Sequence, residues 1–234
     1  MADLSAFPIT RRWPARHPDR IQLYSLPTPN GVKVSILLEE LELPYEAHRI
    51  DFGKDEQRSP EFLSLNPNGK IPAMIDPAGP GGAPLGFFES GAMLLYLADK
   101  TGRLVPADPA RRQEAIQWLF FQMAAVGPMF GQVGYFNVFS GKEIEDPRPL
   151  RRYVEESRRL LAVLEERLAE RPWMMGADYG IVDISLLGWV RNLIGFYEAR
   201  DLVGFDSLKK VPDWLDRGLA RPAVQRGLEI PRKP

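Results

Sequence analysis

The segment Thr28-Pro29-Asn30-Gly31 separates an apolar stretch, residues 21–26, from an amphipathic stretch, residues 32–42. The second stretch repeats its apolar residues at helical spacing, at Val34, Leu37, Leu38 and Leu41. The pattern therefore predicts a β-strand, a tight turn that contains a proline, and an α-helix. This unit decides the fold, because further strands and helices alternate after it up to residue 100.

The sequence after this unit predicts one sheet with helices on its faces. Three more strands are predicted at residues 45–50, 70–75 and 84–88, with helices at 59–65 and 90–100. The second of these helices is apolar almost all round, which is typical of a buried helix. The order βαβ–α–ββα predicts an α/β domain over residues 21–102.

The rest of the chain is predicted to be helical. Residues 103–109 contain two prolines and are interpreted as a linker. Helical patterns follow at residues 110–126, 151–170, 181–196, 211–219 and 222–228. We therefore expect an all-helical domain over residues 110–234. Residues 1–20 hold three prolines and mixed charge, and we expect them to form an N-terminal extension on the surface.

Composition excludes several classes of function. Thirty basic residues face thirty-one acidic ones, so nothing favours nucleic acid or an anionic membrane as a partner. The 234 residues include no cysteine and two histidines, which excludes a cysteine nucleophile and disfavours a metal site. No apolar run approaches the roughly 20 residues that span a bilayer, and no secretory signal pattern is present. The expected compartment is the cytoplasm.

The motif Phe88-Glu89-Ser90-Gly91 lies where a predicted strand passes directly into a helix. The backbone N–H groups of a helix N-terminus favour a carboxylate, and the Ser90 hydroxyl adds a donor. Glu89 beside it can accept hydrogen bonds from an ammonium group. An amino-acid head group carries both charges on one carbon. The alternative is an ordinary helix cap with Glu89 in solvent.

The motif Asn68-Gly69-Lys70-Ile71-Pro72 precedes a predicted strand. A cis Ile71–Pro72 bond turns the Ile71 backbone outward, where it can pair with an extended peptide. Only about 5–6% of such bonds are cis in folded proteins, so a trans turn is the alternative. Lys70 is a candidate partner for a ligand carboxylate, or simply a solvated charge.

The turn at Thr28 and Asn30 stands where a thiol redox enzyme would place its cysteines. Hydroxyl and amide donors at this turn favour a thiolate over a thiol and lower the thiol pKa. In a chain without cysteine, that sulfur must arrive with a ligand. The alternative interpretation is again a helix cap.

These motifs, in this order, resemble a cytosolic glutathione S-transferase, and the resemblance spans about residues 20–230. It implies a thioredoxin-like N-terminal domain followed by an all-helical C-terminal bundle. The turn at residues 28–31, Gln57, the motif at 68–72 and residues 88–97 are similar to the Nu class of bacterial enzymes, which are glutathione-dependent disulfide-bond oxidoreductases.

The resemblance implies a set of residue roles. Thr28 and Asn30 lie beside the glutathione sulfur and form the catalytic pair. Gln57 hydrogen-bonds the peptide and Ile71 pairs through its backbone before a cis proline. Glu89 and Ser90 hold the γ-glutamyl group.

Two more implied roles fall in the predicted helical domain. Arg152 corresponds to an arginine that reaches a ligand carboxylate, in its own subunit or across a dimer. Tyr135 and Phe136 line a second-substrate pocket, or are simply core residues. The strand residues Tyr24 and Ser25 offer further hydroxyls near the sulfur. The resemblance also implies a homodimer.

Three hypotheses for function follow. The first is a glutathione-dependent disulfide-bond oxidoreductase that holds glutathione, its co-substrate, as a thiolate for exchange with a small disulfide. The second is a transferase that joins glutathione to apolar electrophiles. The third is a non-catalytic protein of the same fold that binds glutathione and regulates.

Overall fold

The computed structural model describes residues 2–232, which form two compact units. The first unit runs to Thr101 and resumes at Ala223, and the second spans Gly102–Pro222. Elements of the first unit follow in chain order: α1 (Ile9–Arg12), β1 (Ile21–Ser25), α2 (Gly31–Leu41), β2 (Tyr45–Arg49), α3 (Pro60–Leu63), β3 (Ala73–Asp76), β4 (Leu85–Phe88) and α4 (Ser90–Thr101). From β1 onward this is the predicted βαβ–α–ββα order.

The four strands form one sheet in the order β2-β1-β3-β4. β1 is parallel to β2, whereas β3 is antiparallel to both β1 and β4. Tyr24 of β1 is paired with Ala73 of β3, which is paired with Phe88 of β4. The end of β1, the start of β3 and the end of β4 therefore share one edge of the sheet. Each of the three sequence motifs begins or ends at that edge.

Most residues of the N-terminal extension are exposed or half-buried, but two of its side chains are part of the core, which the sequence analysis did not predict. Leu4 is 6% exposed and Ile9 is completely buried, and both belong to the same hydrophobic cluster as Tyr24 and Phe62. The Trp13 ring meets the Tyr24 ring edge-on at 6.1 Å between centroids. The apolar residues of the extension thus outweigh its prolines and charges, since burial of such side chains stabilises the fold by about 1.5–3 kcal/mol each.

The second unit is helical. Its helices are α5 (Pro109–Phe121), α6 (Gly127–Asn137), α7 (Arg148–Arg167), α8 (Ile181–Ile194) and α9 (Lys210–Leu219). A π-helical turn, Gln122–Val126, leads from α5 directly into α6. The helix predicted at residues 110–126 is therefore continued by one that the sequence pattern did not reveal. α8 is buried along most of its length, as expected of a central helix.

The last helix, α10 (Pro222–Gly227), begins the segment that returns to the first unit. The Ser35 hydroxyl of α2 donates a 2.6 Å hydrogen bond to the Gly227 carbonyl. A Cβ added to Gly227 would lie 2.6 Å from the Ile36 Cα, so only glycine permits this approach. The predicted helical domain over residues 110–234 therefore differs from the structure, where the second unit ends at Pro222. The sequence pattern did not reveal this, because the contacts between α10 and α2 join residues far apart in the sequence.

None of the helices within residues 2–232 is long and apolar enough to cross a membrane.

Candidate active site

A small cleft opens at the shared edge of the sheet in the first unit. Its lining combines all three sequence motifs: Asn30, Asn66, Asn68, Lys70, Ile71, Pro72, Glu89 and Ser90. Five of these residues are predicted ligand contacts, namely Asn30, Lys70, Ile71, Glu89 and Ser90. A larger cavity, about 430 Å³, lies in the second unit and contains none of the predicted site residues.

The turn between β1 and α2 presents Thr28 and Asn30 at the start of the helix. The Thr28 hydroxyl oxygen accepts the Gly31 N–H at 3.4 Å, and the Thr28 carbonyl accepts the Val32 N–H at 2.9 Å. Asn30 occupies the N-cap position but its side chain does not cap the helix. The cap is therefore supplied by Thr28, and the Asn30 side chain lines the cleft instead.

The turn requires glycine at position 31. A Cβ there would lie 2.0 Å from the Leu26 carbonyl oxygen. No other residue fits without moving the strand end, so Gly31 fixes the path of the chain past the cleft.

The loop before β3 is held by the side chain of Asn66. Its amide nitrogen donates to the Lys70 carbonyl at 2.5 Å, and its amide oxygen accepts the Asn68 N–H at 3.0 Å. Gly69 adopts a φ of 64° inside this loop, a conformation that favours glycine. The Ile71–Pro72 peptide bond is cis, as predicted. Sequence analysis assigned no role to Asn66, although an Asn two residues before an Asn-Gly pair is a typical loop residue.

The junction of β4 and α4 places Glu89 and Ser90 at the cleft. Glu89 has a φ of 71°, which is unfavourable for a residue with a Cβ and is typical of functional sites. The Glu89 side chain is exposed, whereas Ser90 is 5% exposed and begins α4. An exposed carboxylate and a buried hydroxyl thus stand side by side at a helix N-terminus, as the sequence predicted.

Gln57 lies on a short 3₁₀ helix, Glu56–Arg58, near the same loop. A Cβ added to Gly69 would lie 3.3 Å from the Gln57 carbonyl oxygen, so the two segments are adjacent. The Gln57 side-chain nitrogen donates to Asp55 at 3.1 Å, while its side-chain oxygen is buried and has no hydrogen-bond partner. Gln57 is not among the residues that line the cleft, so its contact with the ligand peptide stays a prediction.

Lys33 is a component of the site that sequence analysis missed. This α2 lysine is completely buried, and its ammonium nitrogen lies 3.3 Å from the Ser90 hydroxyl oxygen. Burial lowers the pKa of Lys33 to about 7, and the negative charge of Glu89 acts in the opposite direction. The sequence signal for the burial of Lys33 was its pair of apolar neighbours, Val32 and Val34, because a helix that is apolar on every face is expected to be buried.

The strand tyrosine is not placed to act on a ligand. Tyr24 is completely buried, and its ring stacks on that of His48 with 4.7 Å between centroids. Burial raises the pKa of the Tyr24 hydroxyl. Tyr24 is thus a core residue.

The remaining predicted residues belong to the second unit. Arg152 is an exposed residue of α7. Tyr135 and Phe136 are on α6, with ring centroids 5.0 Å apart, and Phe136 stacks on Tyr153 at 5.7 Å. Their roles toward a ligand stay predictions. Within residues 2–232, no cluster of histidine and carboxylate side chains is arranged to hold a metal ion.

Comparisons with known proteins agree with this arrangement. The glutathione S-transferase N-terminal domain matches residues 20–99. Over 210 residues, the chain is 43% identical to the disulfide-bond oxidoreductase YfcG of Escherichia coli, a match that covers 89% of this chain and 94% of that protein. The chain belongs to the glutathione S-transferase superfamily.

Two solved transferases extend the similarity to the whole fold. A glutathione transferase from Burkholderia graminis, with two glutathione molecules bound per subunit, is 62% identical with a TM-score of 0.99, covering 100% of this chain and 98% of that one. A glutathione transferase from Pseudomonas putida, with one glutathione disulfide bound per subunit, is 62% identical with a TM-score of 0.96 and coverages of 98% and 99%. The thioredoxin-like unit and the helical unit are thus those of a glutathione transferase.

Proposed function

We propose that this protein is a glutathione-dependent disulfide-bond oxidoreductase. The observation that carries the proposal is the cleft, where a chain without cysteine collects five predicted glutathione contacts, one of which, Asn30, belongs to the same turn as Thr28. The relative named for this activity in Escherichia coli and the glutathione-bound transferases support it.

The cleft offers one group for each part of the tripeptide. The α-carboxylate of the γ-glutamyl residue fits the Ser90 hydroxyl and the N-terminus of α4, because backbone N–H groups there favour an anion. The α-ammonium fits the exposed carboxylate of Glu89. The peptide backbone fits the backbone of Ile71, which lines the cleft, and the unpaired oxygen of Gln57. Lys70 is exposed at the rim, where it suits the remaining carboxylate.

The sulfur is placed at the turn that carries Thr28 and Asn30. Because the Thr28 oxygen already accepts the Gly31 N–H, its own hydroxyl proton is available to the sulfur. Donors aimed at the sulfur favour the thiolate, and the thiolate is the form that attacks disulfides. The protein supplies orientation and donors, which suffice for an exchange whose reactive atoms all belong to the substrates.

The chemistry proceeds by two exchanges. The thiolate of one glutathione attacks a sulfur of the substrate disulfide, so a mixed disulfide forms and one substrate thiolate leaves. A second glutathione thiolate attacks the mixed disulfide, releasing the other substrate thiol and forming glutathione disulfide. Two glutathiones are thereby oxidised and one disulfide is reduced to two thiols.

A coupled assay tests this proposal. The assay measures the reduction of a small disulfide by glutathione. Glutathione reductase is added to regenerate glutathione from glutathione disulfide. We expect turnover above the enzyme-free rate, and a large loss of kcat in Thr28→Ala but a smaller one in Ser25→Ala, whose hydroxyl bonds locally to Leu26 at 3.4 Å. Binding of glutathione without any turnover would instead indicate a regulatory binding protein.

Conjugation is the second candidate. Tyr135 is 42% exposed and lies against Phe136, so α6 presents aromatic surface suited to an apolar compound. A panel of aromatic electrophiles, assayed by absorbance of the glutathione conjugate, tests this alternative. Disulfide reduction with no detectable conjugate would exclude it.

We also propose a homodimer located in the cytoplasm, with Arg152 reaching a glutathione carboxylate in its own subunit or in its partner. The exposure of Arg152 on α7 supports this role. Arg152→Ala is expected to raise the KM for glutathione about tenfold, the typical effect of losing one hydrogen bond to a charged group. Sedimentation velocity tests the dimer.

A further inference from the structure

Lys33 is unusual because lysine is almost never completely buried in a folded protein. A buried ammonium group is tolerated when polar or charged groups compensate for its lost hydration. In this chain the ammonium group reaches the hydroxyl of Ser90, with 3.3 Å between nitrogen and oxygen. α2, which carries Lys33, packs against α4, which begins with Ser90. The packing of these helices thus brings a buried cation behind the cleft.

The donor properties of the two groups determine which way the serine proton points. In its ammonium form, which predominates below about pH 7, Lys33 has three donors and no acceptor, so the Ser90 oxygen must accept in this contact. The Ser90 hydroxyl proton is consequently directed away from Lys33. Ser90 also lines the cleft. A serine held in this way offers an anion its O–H donor and not its acceptor oxygen.

The charges around Lys33 are consistent with this arrangement. Glu89, the neighbour of Ser90, is exposed at the cleft, and its negative charge favours the ammonium form of Lys33 against the effect of burial. A bound carboxylate next to Ser90 would act in the same direction as Glu89. Anion binding and the buried cation therefore stabilise each other.

We propose that Lys33 is a positioning residue that fixes the Ser90 hydroxyl as a donor to the α-carboxylate of the γ-glutamyl group of glutathione. The proposal rests on the proposed function, since it concerns one end of the same ligand. Lys33 acts through Ser90, so its effect is confined to ligands that carry this carboxylate.

The experiment compares two ligands by titration calorimetry at pH 6, where Lys33 carries its proton. One is reduced glutathione, and the other is γ-aminobutyryl-cysteinyl-glycine, which has the same thiol and peptide but lacks the α-carboxylate. The ratio of their Kd values is measured for the wild type, for Lys33→Met and for the surface control Lys54→Met, whose side chain is 72% exposed. Lys33→Gln, whose side chain is one bond shorter, is a second variant in case Lys33→Met does not fold.

We expect glutathione to bind about tenfold or more weakly in both Lys33 variants, with the analogue nearly unaffected, so that the ratio collapses. Lys54→Met should retain the wild-type ratio. In a Ser90→Ala background, replacing Lys33 should change the ratio no further. An equal loss for both ligands, or no loss, would overturn the positioning role. A wild-type protein that binds neither ligand would instead refute the proposed function itself.

Discussion

Replacing Ile9 with alanine tests whether the N-terminal extension is part of the core of the first unit. Ile9 is completely buried in α1 and belongs to the cluster that also contains Phe62 and Ile71. The substitution removes roughly three methylene equivalents at about 0.8 kcal/mol each, and the cavity left behind adds to that loss. We expect the free energy of unfolding to fall by about 3 kcal/mol.

The matched control is Ile144→Ala, because Ile144 is 48% exposed in the second unit. The same chemical change there should cost about 1 kcal/mol or less. Urea denaturation followed by far-UV circular dichroism gives the overall change for each variant. Hydrogen–deuterium exchange read by mass spectrometry then locates it, and faster exchange is expected in α3 and β3 of Ile9→Ala.

Two outcomes of this comparison would contradict the prediction. If Ile9→Ala and Ile144→Ala lose the same small amount, the extension does not contribute to the core, and its burial has no energetic consequence. If Ile9→Ala loses about 3 kcal/mol but exchange rises only within residues 2–20, the extension is stable by itself and does not support the strand that begins after Ile71.

Three further predictions concern ligand binding and the stability of the fold. Gln57→Leu should weaken glutathione binding about tenfold by calorimetry yet change the free energy of unfolding by less than about 0.5 kcal/mol, because its buried oxygen has no partner to lose. Burial lowers the pKa of Lys33 to about 7, so between pH 7 and its ordinary value of 10.5 the unfolded chain holds a proton that the folded chain has released. Wild-type stability relative to Lys33→Met should therefore rise from pH 7 to 9, by up to about 1.4 kcal/mol per unit, and equal pH profiles in urea denaturation would contradict this. Ser35→Ala removes the 2.6 Å hydrogen bond to the buried Gly227 carbonyl, which keeps only the 3.3 Å bond from the Ile230 N–H, and should cost about 1 kcal/mol. Ser64→Ala removes an equally short but exposed bond and should cost almost nothing by the same denaturation assay.

Local patterns in the sequence were enough to predict most of the first unit. The helical spacing of Val34, Leu37 and Leu41 predicted α2, which the structure has at Gly31–Leu41. The sequence also predicted a short helix at residues 59–65; the structure has it at Pro60–Leu63, where the Ser59 hydroxyl oxygen accepts the Phe62 N–H at 3.3 Å. These features depend on residues a few positions apart, so they can be predicted without knowledge of the tertiary contacts.

What the sequence did not reveal depends on contacts between distant residues. Nothing near Lys33 indicates that its nitrogen will meet Ser90, because that contact arises only when two helices pack. Prolines and charges near Ile9 suggested solvent, yet its side chain is buried with residues from β1 and α3. Of the candidate site, the cleft could be predicted because each motif lies at the start or the end of a strand, whereas the groups behind the cleft could not.

The return of the chain to the first unit at Ala223 has a consequence for how the protein is made. Residues up to Thr101 leave the ribosome before the second unit, but the segment that completes their packing on α2 is synthesised after it. A chain cut short before α10 would therefore contain a finished second unit and an unfinished first one. A premature stop codon or a bulky carboxyl-terminal tag consequently affects the half of the protein that carries the cleft, although in sequence it lies at the opposite end.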